Sequence, residues 1–209
     1  IVHVVEATRT LYLDRPYEGA TDTTADYELL DRRDPFLLHY CVPLLPNQTT
    51  GTLNVGGVGS PAKDAGIYGL ASAFGSVVVL TGTGVWRVTP VGAGQFQVTH
   101  DHEGVGCAAP RSVIQRADGV YWLSADGFRA WGGSGDPLDI SRPPFSGDPA
   151  GIGRTVDRIN RAFIHNAVGH YDPVSNALVW FVPMDGAETN NKALVFDLQT
   201  RTWAEDDAP

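Results

Sequence analysis

The stretch DGVYWLSADGFRAW, Asp118–Trp131, decides the fold. Two β-branched and aromatic runs, Val120–Ser124 and Phe128–Trp131, flank Ala125–Gly127, and Asp-Gly is the strongest short signal of a hairpin turn. A second phrase places Thr81–Gly84 between two valine-rich runs, where glycine supplies the positive φ that a tight turn needs. Both phrases predict antiparallel hairpins with an aromatic residue near the end of a strand.

The same kind of phrase recurs along the chain. Tyr171–Pro183 and Lys192–Trp203 each contain a strand-like run with a tryptophan, and Asp172–Asn176 and Asp197–Arg201 occupy comparable places beside those runs. Repeated aromatic-anchored hairpins are typical of a propeller-type β protein. The predicted fold class is all-β, with partial β-propeller-like sheets, a small N-terminal β module and one short helix.

Three segments are predicted. Residues 1–32 form a small β module, a piece of a barrel or sandwich, with strands at Ile1–Val5, Arg9–Asp14 and Ala25–Leu30. Residues 33–66 form an irregular Gly/Pro-rich connection, in which Leu37–Val42 is a candidate strand and Gly51–Gly59 holds little regular structure. Residues 67–209 form the propeller-like β domain.

One helix is predicted near residues 154–167. Val156, Ile159, Asn160 and Phe163 recur at helical spacing without an intervening proline, and Thr155 is the candidate N-cap. The preceding stretch, Gly132–Gly151, is rich in Gly, Pro, Ser and Asp and is predicted to be a loop.

The net charge argues against generic nucleic-acid binding, unless charge is locally segregated, and against docking on an anionic membrane. The 209 residues are 43% hydrophobic and 19% charged, and 15 Lys and Arg against 24 Asp and Glu give a net charge of −9. Such a surface repels nucleic-acid phosphates and anionic membranes. The sequence has no apolar run of the roughly 18 residues that a membrane span needs.

The cysteines and histidines give weak signals for metal. Cys41 and Cys107 lack CxxC spacing, so two buried thiols are favoured over a disulfide or a zinc site. His100 and His102 are candidate metal ligands because they would share a face of a strand, with Cys107 near in sequence. The favoured reading of His100–Glu103 is a polar loop, and His165 and His170 are read as capping or interfacial residues. No metal and no cofactor is predicted.

The candidate site residues are five tryptophans: Trp86, Trp122, Trp131, Trp180 and Trp203. We expect their side chains to pack between sheets. The alternatives are contact between subunits and stacking on a glycan.

Sequence signs of catalysis are weak, so no enzyme is predicted. Gly56–Lys63 lacks the ending of a phosphate-binding loop, no Gly-x-Ser-x-Gly elbow occurs, and Glu205–Asp207 is read as a solvated tail. The pattern Asn47-Gln48-Thr49 is a glycosylation sequon that matters only in a secreted eukaryotic chain. A glycosidase would need two carboxylates about 5 to 9.5 Å apart, and the sequence nominates no such pair.

Several phrases resemble known families. Tyr171–Trp180 and Val195–Trp203 look like the outer strands of kelch-like propeller blades. Leu80–Trp86, Gly104–Pro110 and Gly119–Gly127 together resemble propeller-bearing tail proteins of bacteriophages. The stretch Thr10–Thr21 resembles small β modules of phage virion proteins.

The resemblance implies a structural virion protein of a phage tail or neck, a nozzle or hub subunit. Its partners would be copies of itself in a ring and other tail or adaptor proteins, with DNA only as passing cargo. It would assemble in the host cytoplasm and reside in the virion tail. The alternative is a kelch-like or glycan-binding recognition propeller. Residues 67–209 suffice for about three blades, whereas closure needs at least four, so we expect a part of a larger polypeptide.

Overall fold

The all-β prediction is confirmed. The computed structural model describes residues 3–5, 10–12, 37–40, 51–54, 66–92, 95–142 and 152–208, and these residues form sixteen strands, one short α-helix and two 3-10 helices. The chain divides into two compact units, Ile1–Arg32 and Arg33–Pro209. Within the described part of the second unit, three four-stranded antiparallel sheets contain twelve of the fourteen strands.

Two short hairpins precede these sheets. In the first unit, β1 (His3–Val5) pairs with β2 (Thr10–Tyr12), and in the second unit β3 (Leu37–Tyr40) pairs with β4 (Gly51–Asn54). The predicted strand Ala25–Leu30 lies outside the described residues. At the start of the glycine-rich stretch Gly51–Gly59, β4 forms because β3 offers its backbone a partner, and residues 55–59 lie outside the described part of the chain.

The three large sheets follow one another along the chain. Sheet 1 contains β5 (Ile67–Ala73), β6 (Ser76–Thr81), β7 (Gly84–Gly92) and β8 (Gln95–Glu103). Sheet 2 contains β9 (Ile114–Gln115), β10 (Val120–Ser124), β11 (Gly127–Trp131) and β12 (Leu138–Asp139). Sheet 3 contains β13 (Val168–Asp172), β14 (Ala177–Val182), β15 (Lys192–Asp197) and β16 (Thr202–Asp207).

Each sheet is a meander in which every strand pairs with its neighbour in sequence. The predicted turn of sheet 1 joins β6 to β7: Val85 pairs with Leu80, and the Thr81 hydroxyl lies 3.0 Å from the Gly84 amide nitrogen, whose hydrogen it accepts. The expectation that glycine supplies a positive φ in this turn was wrong, because neither Gly82 nor Gly84 has one; the Thr81 side chain stabilises the turn instead. In sheet 2, Ser124 pairs with Gly127, so Gly127 opens β11. Short local turns of this kind hold antiparallel strands in sequence order.

The two comparable phrases of sheet 3 form equivalent turns. Asp172 accepts a backbone hydrogen bond from Val174 at 2.9 Å, and Asp197 accepts one from Gln199 at 2.7 Å. Each turn ends on a residue with positive φ, 51° at Asn176 and 56° at Arg201. The side-chain bonds stabilise both turns in the way usual for Asx turns.

Sheet 2 is buried on both faces. Val120 and Trp122 pack toward sheet 1, whereas Tyr121 and Leu123, which alternate with them, pack toward sheet 3. All five residues of β10 are therefore buried, which explains why this strand reads as a continuous apolar run and not as an alternation.

The predicted helix is much shorter than expected. The α-helix α1 spans Gly153–Asp157 and a separate 3-10 helix spans Ile164–Asn166. The helix ends because the backbone groups that would continue it bond to the segment after β14 instead. The Asp185 amide donates to the Arg158 carbonyl at 2.9 Å, and the Asn160 amide donates to the Pro183 carbonyl at 2.8 Å.

The predicted cap and the predicted loop also need correction. Thr155 lies inside α1, and the N-cap position is Ile152, without a side-chain cap. Within the predicted loop Gly132–Gly151, residues Leu138–Asp139 form β12, which pairs with β11. Residues 143–151 lie outside the described part of the chain.

Substitution of Gly106 tests the packing of the connection between sheets 1 and 2. A Cβ at Gly106 would lie 2.0 Å from the Gly82 carbonyl oxygen, whereas a Cβ at Gly153 meets no atom within 4 Å. We expect Gly106→Ala to lower the free energy of unfolding by about 2–3 kcal/mol, the cost of overpacking. Urea denaturation of Gly153→Ala, which should stay within about 0.5 kcal/mol of the wild type, is the control; equal stability of the two variants would contradict this geometry.

Candidate functional site

Trp122 forms the centre of the interface between sheets 1 and 2. Its side chain is 0% exposed and belongs to the same cluster as Val78, Leu80 and Val85 of sheet 1. The indole Nε1 donates to the Gly106 carbonyl at 3.1 Å. Gly106 lies in the connection after β8, so the indole satisfies a carbonyl that has no strand partner.

Trp131 closes the same interface at the end of β11. The Phe74 ring meets it edge-on with centroids 5.8 Å apart, and the Arg87 guanidinium carbon lies 4.9 Å from its ring centre. Its Nε1 donates to the Gly135 carbonyl at 2.9 Å. The contact with Arg87 is a cation–π interaction in a half-buried setting, worth about 1 kcal/mol.

Trp180 and Trp203 form the interface between sheets 2 and 3. The Phe128 ring of sheet 2 lies 4.7 Å from Trp180 and 4.9 Å from Trp203. Trp180 is fully buried and donates to the Ser112 carbonyl at 2.9 Å, while half-buried Trp203 donates to the Ile140 carbonyl at 2.9 Å.

The structure therefore places Trp122, Trp131 and Trp180 in the core. All four indoles at the two interfaces donate to carbonyls of connecting segments outside the strands: Gly106, Ser112, Gly135 and Ile140. Burial of an unpaired carbonyl costs about 1–3 kcal/mol, so these bonds stabilise the connections as well as the sheets. The sequence contains no local signal for the acceptors, because each lies far from its donor or in an irregular segment.

Trp86 lies on the other face of sheet 1. It is half-buried, stacks on His100 with ring centroids 4.1 Å apart, and packs beside the buried Val79 and Val88. No described contact links this outer face to sheet 2 or sheet 3 through Trp86. A role of Trp86 in subunit contact stays a prediction.

The expectation that His100 and His102 share a face was wrong. A register shift lets His102 pair with Val85 and His100 with the next residue, Trp86, so the two imidazoles lie on opposite faces. The polar-loop reading was also wrong, because β8 continues to Glu103. Within the described residues there is no group of three or more His, Cys, Asp or Glu side chains that could hold a metal.

Cys107 is a free, buried thiol. Its Sγ donates to the Ala109 carbonyl at 3.2 Å, and burial raises its pKa to about 11. The thiol is therefore protonated at neutral pH and is a poor nucleophile. Cys41 lies outside the described residues.

A polar cluster at the interface of sheets 2 and 3 was missed by sequence reasoning. The Arg116 guanidinium stacks 4.1 Å from the Tyr171 ring centre and bonds to Asp118 at 2.9 Å. Asn176 accepts hydrogen bonds from Arg116 at 3.4 Å and from the Tyr171 hydroxyl at 3.2 Å. The cluster joins the connection between β9 and β10 to the first turn of sheet 3.

The cluster shifts two pKa values in opposite directions. Burial opposes ionisation of Asp118, but the hydrogen bonds and charge of Arg116 outweigh it, so the pKa of Asp118 is lowered. Burial, together with the Asp118 charge, raises the pKa of Tyr121 to about 12. The result at neutral pH is an ion pair beside a neutral phenol, which is a structural arrangement.

The reading of Glu205–Asp207 as a solvated tail was wrong in part. These residues belong to β16, which pairs with β15 along its full length, although their side chains stay largely exposed. Arg158 bonds to Glu205 at 2.9 Å and to Asp185 at 2.6 Å, and Lys192 bonds to Asp207 at 2.6 Å. Exposed pairs of this kind contribute little to stability individually.

A cavity of about 210 Å³ lies between α1 and β16. Its lining residues are Ile152, Thr155, Leu194, Trp203, Ala204 and Glu205. Glu205 is the single carboxylate in this lining, and Arg158 and Lys192 already bond to it. The lining thus lacks the two carboxylates that glycoside hydrolysis requires.

Two of the remaining candidates are histidines. His165 belongs to the 3-10 helix Ile164–Asn166 and His170 to β13, and both are exposed. The glycine stretch Gly56–Lys63 and the sequon Asn47-Gln48-Thr49 lie outside the described residues.

No protein-family model matches the chain, and no curated protein matches it either. Among the described residues, no helix is long and apolar enough to cross a membrane.

Replacement of Trp180 tests the indole–carbonyl bonds. Trp180→Phe removes the donor to Ser112 and leaves a small void, so we expect a loss of about 2–3 kcal/mol in the free energy of unfolding. Trp86→Phe, at a half-exposed position, is the matched control and should cost less than about 1 kcal/mol. Urea denaturation followed by circular dichroism measures both; a Trp180→Phe protein as stable as the control would show that the bond to Ser112 contributes nothing.

The Asp118 ion pair predicts a pH dependence. A lowered carboxyl pKa stabilises the fold above the ordinary value of 3.8, and this contribution disappears as the pH falls through the folded-state pKa. Since the Asp118 side chain is 52% exposed, we expect Asp118→Asn to cost only about 0.5–1 kcal/mol at pH 7. The stability gap between variant and wild type should close below pH 4 in urea titrations, and a gap that widened on acidification would refute the assignment.

Proposed function

We propose that the chain is a structural subunit of a bacteriophage tail or neck, a nozzle or hub component that forms rings around the DNA conduit. One observation carries the proposal: three consecutive four-stranded meanders pack face to face through buried tryptophans. Successive blades of a β-propeller pack in this way. The phrases that resemble phage tail proteins lie at the interface between sheets 1 and 2, where they supply strand segments and part of the connection: Leu80–Trp86, Gly104–Pro110 and Gly119–Gly127.

The convergence of the first strands supports a propeller-like arrangement. A Cβ at Gly69 of β5 would lie 2.6 Å from the Val113 side chain, and a Cβ at Gly169 of β13 would lie 2.5 Å from the Ser112 carbonyl. Glycine at both positions lets β5 and β13 approach the segment that leads into β9. Blades arranged radially bring their first strands together around a common axis in the same manner.

The titratable groups support a structural role over catalysis. The raised pKa of Cys107 and the lowered pKa of Asp118 follow from burial and from the ion pair with Arg116. The net charge of −9 suits a conduit that must let DNA pass without binding it. On this proposal the protein is not an enzyme, its site of action is the virion tail, and its partners are copies of itself and neighbouring tail proteins.

A glycan-binding module is the second candidate, and one observation favours it. Half-buried Trp203 lines the 210 Å³ cavity together with Thr155 and Glu205, which combines an aromatic surface with polar groups. Sugar rings stack on such aromatic surfaces. Glycan-array binding that is lost in Trp203→Ala, with the fold retained by circular dichroism, would favour this candidate over the structural subunit.

The mass of the purified protein and its copy number in virions test the first proposal. We expect a ring-shaped oligomer by light scattering and negative-stain microscopy at micromolar concentration, and a fixed symmetric copy number in virion tails. DNA filter binding at 0.15 M salt should be undetectable, because the acidic surface repels phosphate. A monomer at these concentrations that is also absent from purified virions would refute the proposal.

A further inference from the structure

Three Asp-Gly dipeptides lie in connections between consecutive strands of the sheets: Asp118-Gly119, Asp126-Gly127 and Asp185-Gly186. Asp-Gly suits a tight turn, because both residues tolerate backbone conformations that other residues avoid. The same dipeptide is chemically labile, because glycine has no side chain to hinder attack of its amide on the neighbouring carboxyl group. Each of these connections therefore carries a site for a spontaneous change of the main chain.

The change is the rearrangement of aspartate to isoaspartate. The glycine amide nitrogen attacks Cγ of the protonated aspartic acid, the N–Cγ bond forms, the Cγ–OH bond breaks, and one water leaves with the amide proton. The product is a cyclic succinimide. Addition of water to one of its two carbonyls reopens the ring to aspartate or to isoaspartate, in which the main chain runs through Cβ and Cγ. Water is the only co-reactant, and the final mass is unchanged.

Burial does not protect these carboxyl groups. The side chains of Asp118, Asp126 and Asp185 are 52%, 56% and 50% exposed. Steric hindrance is also weak at one of the dipeptides, since a Cβ at Gly186 would meet no atom within 4 Å. Protection therefore has to come from the groups that bond to the carboxylates.

Arginines hold both oxygens of two of the carboxylates. Arg158 Nε donates to one Asp185 oxygen at 2.9 Å, and Nη2 donates to the other at 2.6 Å. Arg116 donates to the two Asp118 oxygens in the same way, at 2.9 and 3.4 Å. A two-point bond from the planar guanidinium fixes the orientation of a carboxylate as well as its charge.

The third Asp-Gly dipeptide has an arginine partner too, because Arg129 Nη2 donates to an oxygen of Asp126. Asp172 offers a contrast inside the same chain. It lies in the turn between β13 and β14, Pro173 follows it, and its carboxylate accepts from an amide and a hydroxyl of its own turn. Proline has no amide hydrogen, so the rearrangement cannot start at Asp172.

We propose that Arg116, Arg129 and Arg158 protect the three Asp-Gly dipeptides from conversion to isoaspartate. An arginine favours the ionised carboxylate, whereas the reaction needs the protonated acid. The hydrogen bonds of Arg158, for example, lower the pKa of Asp185. A two-point bond also has to break before the carboxyl group turns toward the glycine nitrogen. This protection is independent of the proposed function.

Isoaspartate would disturb the fold where these dipeptides lie, because it adds one atom to the main chain. At Asp126 the added atom would lie directly before β11, whose first residue, Gly127, pairs with Ser124. At Asp185 it would lie beside the amide that donates to the Arg158 carbonyl, where the helix ends. An arginine that slows the reaction therefore preserves the strand register and the helix end.

Arg158→Gln tests the proposal, because Arg158 is exposed and its ion pairs contribute little to stability. Wild type and variant are incubated at neutral pH and body temperature for several weeks, and isoaspartate at each dipeptide is measured by peptide mapping with mass spectrometry. We expect a rise of at least about fivefold at Asp185, since an adjacent arginine shifts the ionisation of a carboxyl group by this order or more. The amounts at Asp118 and Asp126 should stay at the wild-type level.

Two controls separate loss of the bond to Asp185 from other effects of the substitution. Arg154→Gln removes an exposed arginine from the same helix, and Glu205→Gln removes the other ion-pair partner of Arg158. Both should leave isoaspartate at Asp185 unchanged. Circular dichroism and melting temperature check that each variant is folded.

Arg116→Gln extends the test to a second dipeptide and should raise isoaspartate at Asp118 alone. Equal isoaspartate at Asp185 in Arg158→Gln and in the wild type would overturn the proposal. An equal rise at all three dipeptides, or a rise at Asp185 in Arg154→Gln, would also overturn it, because general loosening of the chain would then explain the result. These outcomes do not depend on the oligomeric state, which tests the proposed function separately.

Discussion

The structure depends on satisfying the backbone carbonyls of buried connecting segments. Strand pairing uses the backbone groups of the sheets, whereas the carbonyls of Gly106 and Ser112 lie in a connecting segment outside the strand ladders. Four tryptophans supply the missing donors, and the carbonyls of Gly106 and Ser112 receive theirs from sheets 2 and 3. Each indole therefore fills apolar space and fixes a connection at the same time, which no aliphatic side chain of similar volume achieves.

Ser112 shows how this requirement links neighbouring sheets. Its hydroxyl donates to the Ala109 carbonyl at 2.8 Å and accepts from the Leu123 amide at 3.0 Å, while its carbonyl accepts from Trp180. The 3-10 helix Pro110–Ser112 is thus held by its own turn, by sheet 2 and by sheet 3. Gly169 lacks a side chain where that carbonyl approaches β13, so the sequence of sheet 3 accommodates the connection before sheet 2.

The local sequence pattern predicted the buried strands inside the sheets. It failed for elements whose sequence or extent is not set by burial. The valine-rich β6 and the run of β10 were found, because burial imposes an apolar sequence on them. The edge strand β16 was missed since its exposed side chains are acidic, and α1 was overestimated since its continuation bonds to the segment after β14. The tryptophans were named from sequence, but the Arg116 cluster was not, because Asp118 and Asn176 come together only after sheets 2 and 3 pack.

A stack of four-stranded sheets differs from a single sheet in the number of faces that it buries. Three sheets in series have six faces, and the two internal interfaces bury four of them. On the outer face of sheet 1, Val79 and Val88 are buried, whereas Val179 and Val195 on the outer face of sheet 3 are half-buried beside the charged edge strand β16. Apolar surface of this kind gains free energy on leaving water, by about 25 cal/mol per Å². The alternation of half-buried Val179 and Val195 with the buried Leu178 and Leu194 gives β14 and β15 an apolar sequence like that of β10, although all five residues of β10 are buried between two sheets.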